Sequence, residues 1–348
     1  MPQATWNRIL EELIPLQLQD QQAPPTPGQP GRFDQYRRAK IAAVEQVTKR
    51  PLIVYASACT SPKPVAPQLL MLDFTDKIGF KTVTDSIDPP QLDVLVHSPG
   101  GYSEATESIV QQLRGKYNDL RFIVPSFAKS AATMLVMSGN EILLDRDAEL
   151  GPIDPQMRTP NGGTSPAVAI IELFERAQKE LAQDPGKLAS WMPILSQLGP
   201  SLLVDCDHAI ELSSTLVKDW LKKYMFSGDP EGEQKATKIS KFLGDHTYFK
   251  SHGRAVKIPD LAQLGAKVTD LRSNPALYQA VDELYCCLDI FLGNSPVYKM
   301  FENSTGGALI RQSSMQIQMP LQLIQAQQPQ LQPPQTVPQP PAQAPQQS

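Results

Sequence analysis

The sequence FAKSAATMLVMSGNEILLD (residues 127–145) joins a small-residue helical run to a short apolar strand, EILLD (141–145). Similar short, β-rich apolar runs precede it at LIVYAS (52–57), LDVLVH (92–97) and RFIVP (121–125). Segments with one apolar helical face, 103–116 and 130–137, lie between them. Strand and helix therefore alternate along this part of the chain. The pattern predicts right-handed β-α-β units and an α/β fold with a mostly parallel sheet.

The rest of the chain divides by composition. From residue 166 onward it is mainly helical, most clearly over 167–183, 208–226 and 275–292. Two low-complexity stretches, 21–31 and about 312–348, are rich in proline or glutamine and are expected to be disordered. We predict an N-terminal helix with a Pro-rich linker (1–31), an α/β domain (32–295) and a disordered Gln/Pro-rich tail (296–348).

Composition limits the classes of function. A formal charge of −4 offers no basic face for nucleic acid. No window approaches the ~20 apolar residues of a membrane span, and the first residues do not read as a signal peptide. Four cysteines without metal spacing are typical of reduced thiols in a cytoplasmic protein. Neither a phosphate-binding glycine motif nor H-E-x-x-H occurs, so we expect no cofactor and no metal.

Two loops in the parallel part have unusual composition. Ser98-Pro99-Gly100-Gly101 directly follows a strand, and its glycines allow the backbone to turn N–H groups into an open space. Ser130 begins the helix of the quoted stretch, where the helix dipole favours an alkoxide and the N–H of Ala131 can face an oxyanion. Each loop has a simpler interpretation, a tight turn for the first and a helix cap for Ser130. Together they predict a nucleophile beside an oxyanion hole.

The sequence resembles the serine dehydrogenase proteinase family of the Clp/crotonase superfamily. The resemblance rests on HSPGG (97–101), AKSAAT (128–133) and NEILLDRDAELGPIDPQ (140–156), with a further similar segment, HGR, at 252–254. It implies a Clp/crotonase-like spiral of ββα units, assembled as trimers or hexamers. It also implies Ser130 as the nucleophile, with Gly100, Gly101 and Ala131 forming the oxyanion hole.

The general base is not defined by the resemblance. Clp protease has its base histidine in the region where this chain has Asp154 and Gln156, whereas signal peptide peptidase A uses a lysine about fifty residues after its serine. Lys179 has that spacing, although it lies opposite the apolar face of its predicted helix, and Lys187 is the fallback. Among the histidines, His97 ends the strand before the glycine loop and is the second candidate. His252 is a minor further candidate for the general base.

The leading prediction is a soluble serine peptidase that hydrolyses peptide bonds in peptides or proteins and forms a homo-oligomer. A crotonase-type acyl-CoA enzyme is the first alternative, with Asp154 and Glu149 near the relevant turn. The second alternative is an inactive scaffold that keeps the fold and recruits partners through its tail.

Overall fold

The apolar runs of the sequence form the centre of a seven-stranded sheet. The computed structural model describes residues 5–26, 29–88, 90–159 and 162–313. The strands are β1 (Leu52–Ser57), β2 (Gln91–His97), β3 (Asp119–Val124), β4 (Phe127–Ala128), β5 (Glu141–Leu144), β6 (Glu149–Leu150), β7 (Gln156–Arg158), β8 (Thr164–Pro166), β9 (Val268–Asp270), β10 (Val297–Asn303) and β11 (Ala308–Gln312). The α-helices are α1 (Thr5–Gln22), α2 (Arg32–Thr48), α3 (Asp76–Thr84), α4 (Ser103–Arg114), α5 (Ala131–Met137), α6 (Ala167–Gln183), α7 (Leu188–Leu195), α8 (Leu202–Trp220), α9 (Gly232–Gly244), α10 (His246–Phe249), α11 (Ile258–Gln263) and α12 (Pro275–Asn294).

The main sheet has the strand order β11-β10-β1-β2-β3-β5-β9. The five strands from β1 to β9 pair in parallel, whereas β10 is antiparallel to β1 and β11 is antiparallel to β10. The prediction of an α/β fold with a mostly parallel sheet is therefore confirmed. In such a sheet the loops after β2, β3 and β5 leave from the same edge, where ligands gather.

A second, smaller layer of strand pairing lies beyond that edge. After β2 the chain bridges Ser98 to Ala128, after β3 it forms β4, and after β5 it forms β6, which pairs in parallel with β4. Leu150 in β6 also forms an antiparallel bridge to Val256. Strands β2, β3 and β5 are thus each followed by a short piece of the second layer and then by a helix or a loop. These are the ββα units that the resemblance implies.

Helices cover both faces of the main sheet. Helices α2 and α12 pack on one face, where Leu52, Val54 and Leu95 point, and α3, α4, α5 and α8 enclose the larger core on the other. Helix α1 packs on α12 through a small cluster of buried side chains, namely Ile9, Leu13, Cys286, Cys287 and Ile290. Across the described ranges, no helix combines the length and the apolar character needed to cross a membrane.

The predicted start of the tail at residue 296 needs correction. Strands β10 and β11 follow that position and add an antiparallel edge to the main sheet, and Phe301 of β10 is fully buried. The sheet therefore extends to Gln312, because β10 completes the hydrogen bonding of β1. The remainder of the predicted tail, 314–348, lies outside the described residues.

A close contact in α3 gives a test of the core. A Cβ atom on Gly79 would lie 2.4 Å from the ring of Phe301, which stacks on Tyr55 with ring centroids 5.0 Å apart. We expect Gly79→Ala to lower the free energy of unfolding by about 1–3 kcal/mol, because the added methyl overpacks this aromatic cluster.

The control is Gly244→Ala in α9, where an added Cβ meets nothing within 4 Å. We expect that variant to be unchanged or more stable by about 0.4–1 kcal/mol, because alanine restricts the unfolded chain. Urea unfolding of both variants measures the difference, and equal midpoints would contradict the packing argument.

Candidate active site

The glycine loop after β2 is fixed by hydrogen bonds to a neighbouring segment. Gly100 has a φ of +94°, a value that side-chain-bearing residues rarely adopt. Its carbonyl accepts from Leu72 N–H at 2.8 Å, and the Leu72 carbonyl accepts from Tyr102 N–H at 3.0 Å. Gly100 N–H donates to Ser98 Oγ at 3.2 Å. The loop is therefore held on both sides of Gly101.

Ser130 occupies a strained turn directly before α5. Its φ of 50° and ψ of −123° are unusual for a residue other than glycine. The side chain is partly exposed and makes no capping hydrogen bond to α5. The hydroxyl is thus not used as a helix cap, which removes the simpler interpretation of this serine.

The structure brings the two loops into direct contact. A Cβ atom on Gly100 would lie 2.4 Å from the Lys129 carbonyl oxygen, 2.7 Å from Ser130 Cβ and 3.0 Å from Ala131 N. Such distances leave no room for any side chain at position 100. The serine turn and the glycine loop are therefore in direct contact.

The candidate oxyanion donors differ in availability. Gly100 N–H is engaged by Ser98 Oγ, so it is not available to a ligand. The loop and turn hydrogen bonds in the described ranges do not use the N–H groups of Gly101 or Ala131. Of the predicted donors, these two remain available to donate to a ligand oxygen.

A third wall of the site comes from the turn after β6. A Cβ atom on Gly151 would lie 3.4 Å from Ser130 N. Gly151 N–H donates to Thr133 Oγ1 at 3.0 Å, and that hydroxyl donates to the Ala128 carbonyl at 2.7 Å. The turn that begins at Gly151 is consequently fixed beside Ser130.

Three residues further on, Asp154 is buried between two histidines. His252 Nδ1 lies 2.7 Å from Asp154 Oδ1, and His246 Nδ1 lies 3.0 Å from Asp154 Oδ2. Gln156 Nε2 also donates to Oδ2 at 3.0 Å, so Oδ2 is shared while Oδ1 receives His252. The Asp154 side chain is 1% exposed, against 27% for His252. Because a carboxylate oxygen accepts hydrogen bonds, Nδ1 of each ring is the donor in these two contacts, and Nε2 of each ring is left for other partners.

Backbone pairing explains why His252 reaches this turn. Val256 and Leu150 exchange both backbone hydrogen bonds, at 2.9 and 3.0 Å, in an antiparallel bridge. Going back from Val256, the chain runs alongside the segment that leads from Leu150 to Asp154. From the sequence, His252 was only a minor candidate for the general base and His246 was not a candidate. The feature of the sequence that pointed to His252 was the HGR segment at 252–254.

His97 lies on the other face of the main sheet. Its ring packs against Phe127 and against Tyr285 of α12, with centroid distances of 4.4 and 5.3 Å. Nε2 is 3.8 Å from Cys59 Sγ, and Nδ1 has no hydrogen-bond partner among the described residues. Burial lowers the pKa of His97 to about 4 and raises that of Cys59 to about 12. Both side chains are therefore uncharged at neutral pH.

The two predicted lysines lie on the helical part of the chain. Lys179 is exposed on α6, which packs chiefly against α8. Lys187 Nζ lies 3.5 Å from Glu180. Among the described residues, no hydrogen bond or ion pair joins either lysine to Ser130, so Lys179 and Lys187 stay predictions without support from the geometry.

The other ionisable groups at the turn are engaged. Lys129 Nζ lies 2.7 Å from Glu149 Oε2, and Lys257 Nζ lies 3.3 Å from Oε1. The pKa of Glu149 is lowered, chiefly by the hydrogen bond from Lys129. Within the described ranges, no group of three or more His, Cys, Asp or Glu side chains is arranged to hold a metal ion.

The ββα layers and the contact between a glycine loop and a serine turn define a Clp-like fold. The chain belongs to the family of ClpP-like SDH-type serine proteinases, which it matches over residues 73–287.

Two uncharacterized proteins of Methanocaldococcus jannaschii, MJ1495 and MJ0137, are each 28% identical to it, over 178 and 177 residues. These matches cover 51% of this chain and 51% and 53% of the two proteins. The chain therefore spans about half the length of the curated relatives that it matches.

Similar solved structures include two forms of the 1510-N membrane-bound stomatin-specific protease. A serine-to-alanine mutant is 11% identical with a TM-score of 0.34, and the match covers 57% of this chain and 74% of that one. A lysine-to-alanine mutant in complex with a substrate peptide is 12% identical with a TM-score of 0.34, covering 57% and 70%.

The buried imidazole of His97 predicts a pH dependence of stability. Its pKa is about 4 in the folded chain and ordinarily near 6.5, so the unfolded chain takes up this proton first as pH falls. The contribution to stability is complete above pH ~6.5 and is lost between there and pH ~4, by at most about 1.4 kcal/mol per pH unit. We expect His97→Gln to remove this slope in urea unfolding measured from pH 7 to 4.5.

The matched control is His208→Gln, because His208 is exposed on α8. That variant should keep the pH slope of the unchanged protein. If His97→Gln also keeps the slope, His97 is not buried in a neutral form.

Proposed function

We propose that this protein is a serine peptidase in which Ser130 attacks the carbonyl carbon of a peptide bond. The N–H groups of Gly101 and Ala131 hold the oxyanion. The observation that carries the proposal is the contact between the Gly100 loop and a serine turn whose hydroxyl does not cap its helix. Membership of a serine proteinase family supports the same reaction class. Two backbone donors beside a nucleophile are the central requirement of acyl transfer.

For the general base we propose His252, oriented by Asp154, in place of Lys179. A serine hydroxyl needs a nearby proton acceptor at neutral pH, and a neutral imidazole with Nδ1 on a carboxylate is such an acceptor. His252 has Asp154 Oδ1 to itself at 2.7 Å, whereas His246 shares Oδ2 with Gln156. The ring of His252 is partly exposed and can therefore approach a substrate, while the buried Asp154 holds the ring in place.

These roles give a balanced sequence of steps. Ser130 Oγ forms a bond to the carbonyl carbon as its proton passes to His252 Nε2, and the negative carbonyl oxygen rests on the two N–H groups. Collapse breaks the C–N bond, and His252 returns the proton to the leaving amine. Water then attacks the acyl-serine with the same assistance, which releases the acid and restores Ser130.

Other features of the sequence prediction remain predictions. They are the cytoplasmic location, the homo-oligomeric assembly and the nature of the peptide substrate. For the acyl-CoA alternative, the carboxylates that it would use are already engaged, Glu149 by lysines and Asp154 by histidines. Fluorophosphonate labelling of the unchanged chain and of Ser130→Ala decides the scaffold alternative.

Replacement of the nucleophile tests the reaction class. We expect the protein to be labelled by a fluorophosphonate probe and Ser130→Ala to lose labelling completely, because the probe bonds only to an activated serine oxygen. Ser126→Ala is the matched control, since Ser126 lies on the same loop but contacts Tyr285 on the other face of the sheet. Equal labelling of the Ser130→Ala variant would contradict the proposal, and absence of labelling in the unchanged chain would favour the scaffold.

Replacement of three candidate bases tests the second proposal. We expect His252→Gln to slow fluorophosphonate labelling by ~10²- to 10⁴-fold, the usual contribution of a general base. His246→Gln should cost less than about tenfold, because its carboxylate oxygen has a second donor. Lys179→Met should label at the unchanged rate. The reverse result, with loss in Lys179→Met and full labelling in His252→Gln, would support the lysine base instead.

A further inference from the structure

A buried ion pair joins the antiparallel edge of the sheet to the segment beside the glycine loop. Lys299 of β10 is 1% exposed, and its Nζ lies 3.0 Å from both carboxylate oxygens of Asp76, which is fully buried. The same Nζ donates to the Met71 carbonyl at 2.6 Å. A buried charged group is tolerated only when it is paired and hydrogen-bonded. These contacts therefore fix residues 71 and 76 relative to β10.

The segment between those two residues is the partner of the glycine loop. Asp76 Oδ2 accepts from Asp73 N–H at 3.1 Å, so Leu72 lies between two residues that contact the ion pair. Leu72 N–H in turn donates to the Gly100 carbonyl, and its own carbonyl accepts from Tyr102 N–H. A Cβ atom on Gly101 would lie 2.0 Å from the Leu72 carbonyl oxygen. The position of Leu72 thus determines where Gly101 N–H points.

A second connection reaches the same loop from the sheet. Tyr55 hydroxyl donates to Asp76 Oδ2 at 3.2 Å, and it also contacts the side chain of Ser98. Ser98 Oγ accepts the Gly100 N–H. Both connections begin at the Asp76 carboxylate and end on the backbone that flanks the candidate oxyanion donor.

We propose that the Lys299–Asp76 ion pair positions the oxyanion loop and thereby sets the rate at which Ser130 is acylated. The effect on rate rests on the proposed function, whereas the effect on the loop does not. Lys299 lies beyond the segment that matches the family, 73–287, as do Tyr55 and Leu72. The support for the loop therefore comes in part from strands outside that segment.

The same strand provides a matched control. Glu302, three residues after Lys299, is fully buried and pairs with the buried Arg37 of α2, whose Nη2 donates to Glu302 Oε1 at 3.0 Å. This pair lies on the α2 face of the sheet, away from the glycine loop. Its removal should disturb β10 comparably without a path to Leu72.

The test compares two double variants that each remove both charges, so that no buried charge is left alone. The first is Lys299→Met with Asp76→Asn, and the second is Arg37→Met with Glu302→Gln. For the first we expect fluorophosphonate labelling to slow by ~10- to 100-fold, because small displacements of catalytic groups and donors have effects of this size. Hydrogen exchange should also accelerate at the amides of Leu72, Gly100 and Tyr102. The second variant should label within about threefold of the unchanged rate and keep the exchange of those amides.

Each outcome bears on the proposal. Equal slowing in both variants, or unchanged exchange at the three amides in the first, would overturn it. If the first variant does not fold, Asp76→Asn alone keeps the shape of the side chain and should move labelling and exchange in the same direction. If the unchanged protein is never labelled, the proposed function fails, but the exchange comparison still decides whether the ion pair holds the loop.

Discussion

The close approach of Gly100 to the turn that carries Ser130 is the contact on which the candidate site depends. The two segments leave the carboxyl ends of neighbouring parallel strands, β2 and β3, so the sheet brings them to one edge. Only a residue without Cβ allows them to close to contact, since such an atom would lie 2.7 Å from Ser130 Cβ. Gly151 also lies against this turn, although a Cβ atom there would be at an ordinary contact distance of 3.4 Å from Ser130 N. The parallel sheet brings the two loops near each other, and the absence of a side chain at position 100 allows them to come into contact beside Ser130.

The backbone of Ser130 has a cost that its surroundings must offset. A non-glycine residue at a φ of 50° carries strain of about 1–3 kcal/mol, which persists only where neighbours over-determine the conformation. Here Lys129 N–H donates to the Ser98 carbonyl at 3.1 Å, and Thr133 joins Ala128 to Gly151. These bonds tie the turn to the loops on both sides. The interactions that hold the strained serine are therefore also the walls of the site.

Local patterns were sufficient for much of the fold but not for the long-range pairs. Strands β1, β2, β3 and β5 lie within two residues of their predicted bounds, because short apolar runs between turns are a local signal. Strand β10 was missed because Lys299 and Glu302 interrupt its apolar run, and charged residues ordinarily indicate solvent. Both are buried only because their partners arrive from elsewhere in the chain. In the sequence, Asp154 stood out only because it occupies the region where Clp protease has its base histidine. Its imidazole partners could not be predicted, since they are 92 and 98 residues away.

His97 and His252 show why proximity in sequence to the glycine loop is a weak guide to a base. His97 adjoins that loop, yet it is 3% exposed, lacks a carboxylate partner and has a pKa near 4, so it is a poor proton acceptor. His252 is distant in sequence, but its Nδ1 meets a buried carboxylate and its ring is partly open to solvent. Asp154 stands in the region where the resemblance to Clp protease would place the base itself. On the proposed assignment, the turn keeps its place beside the serine but supplies the carboxylate, and the imidazole comes from the segment paired against it. A serine, an imidazole and a carboxylate can then fulfil the same roles in a different order along the chain, because those roles depend on geometry.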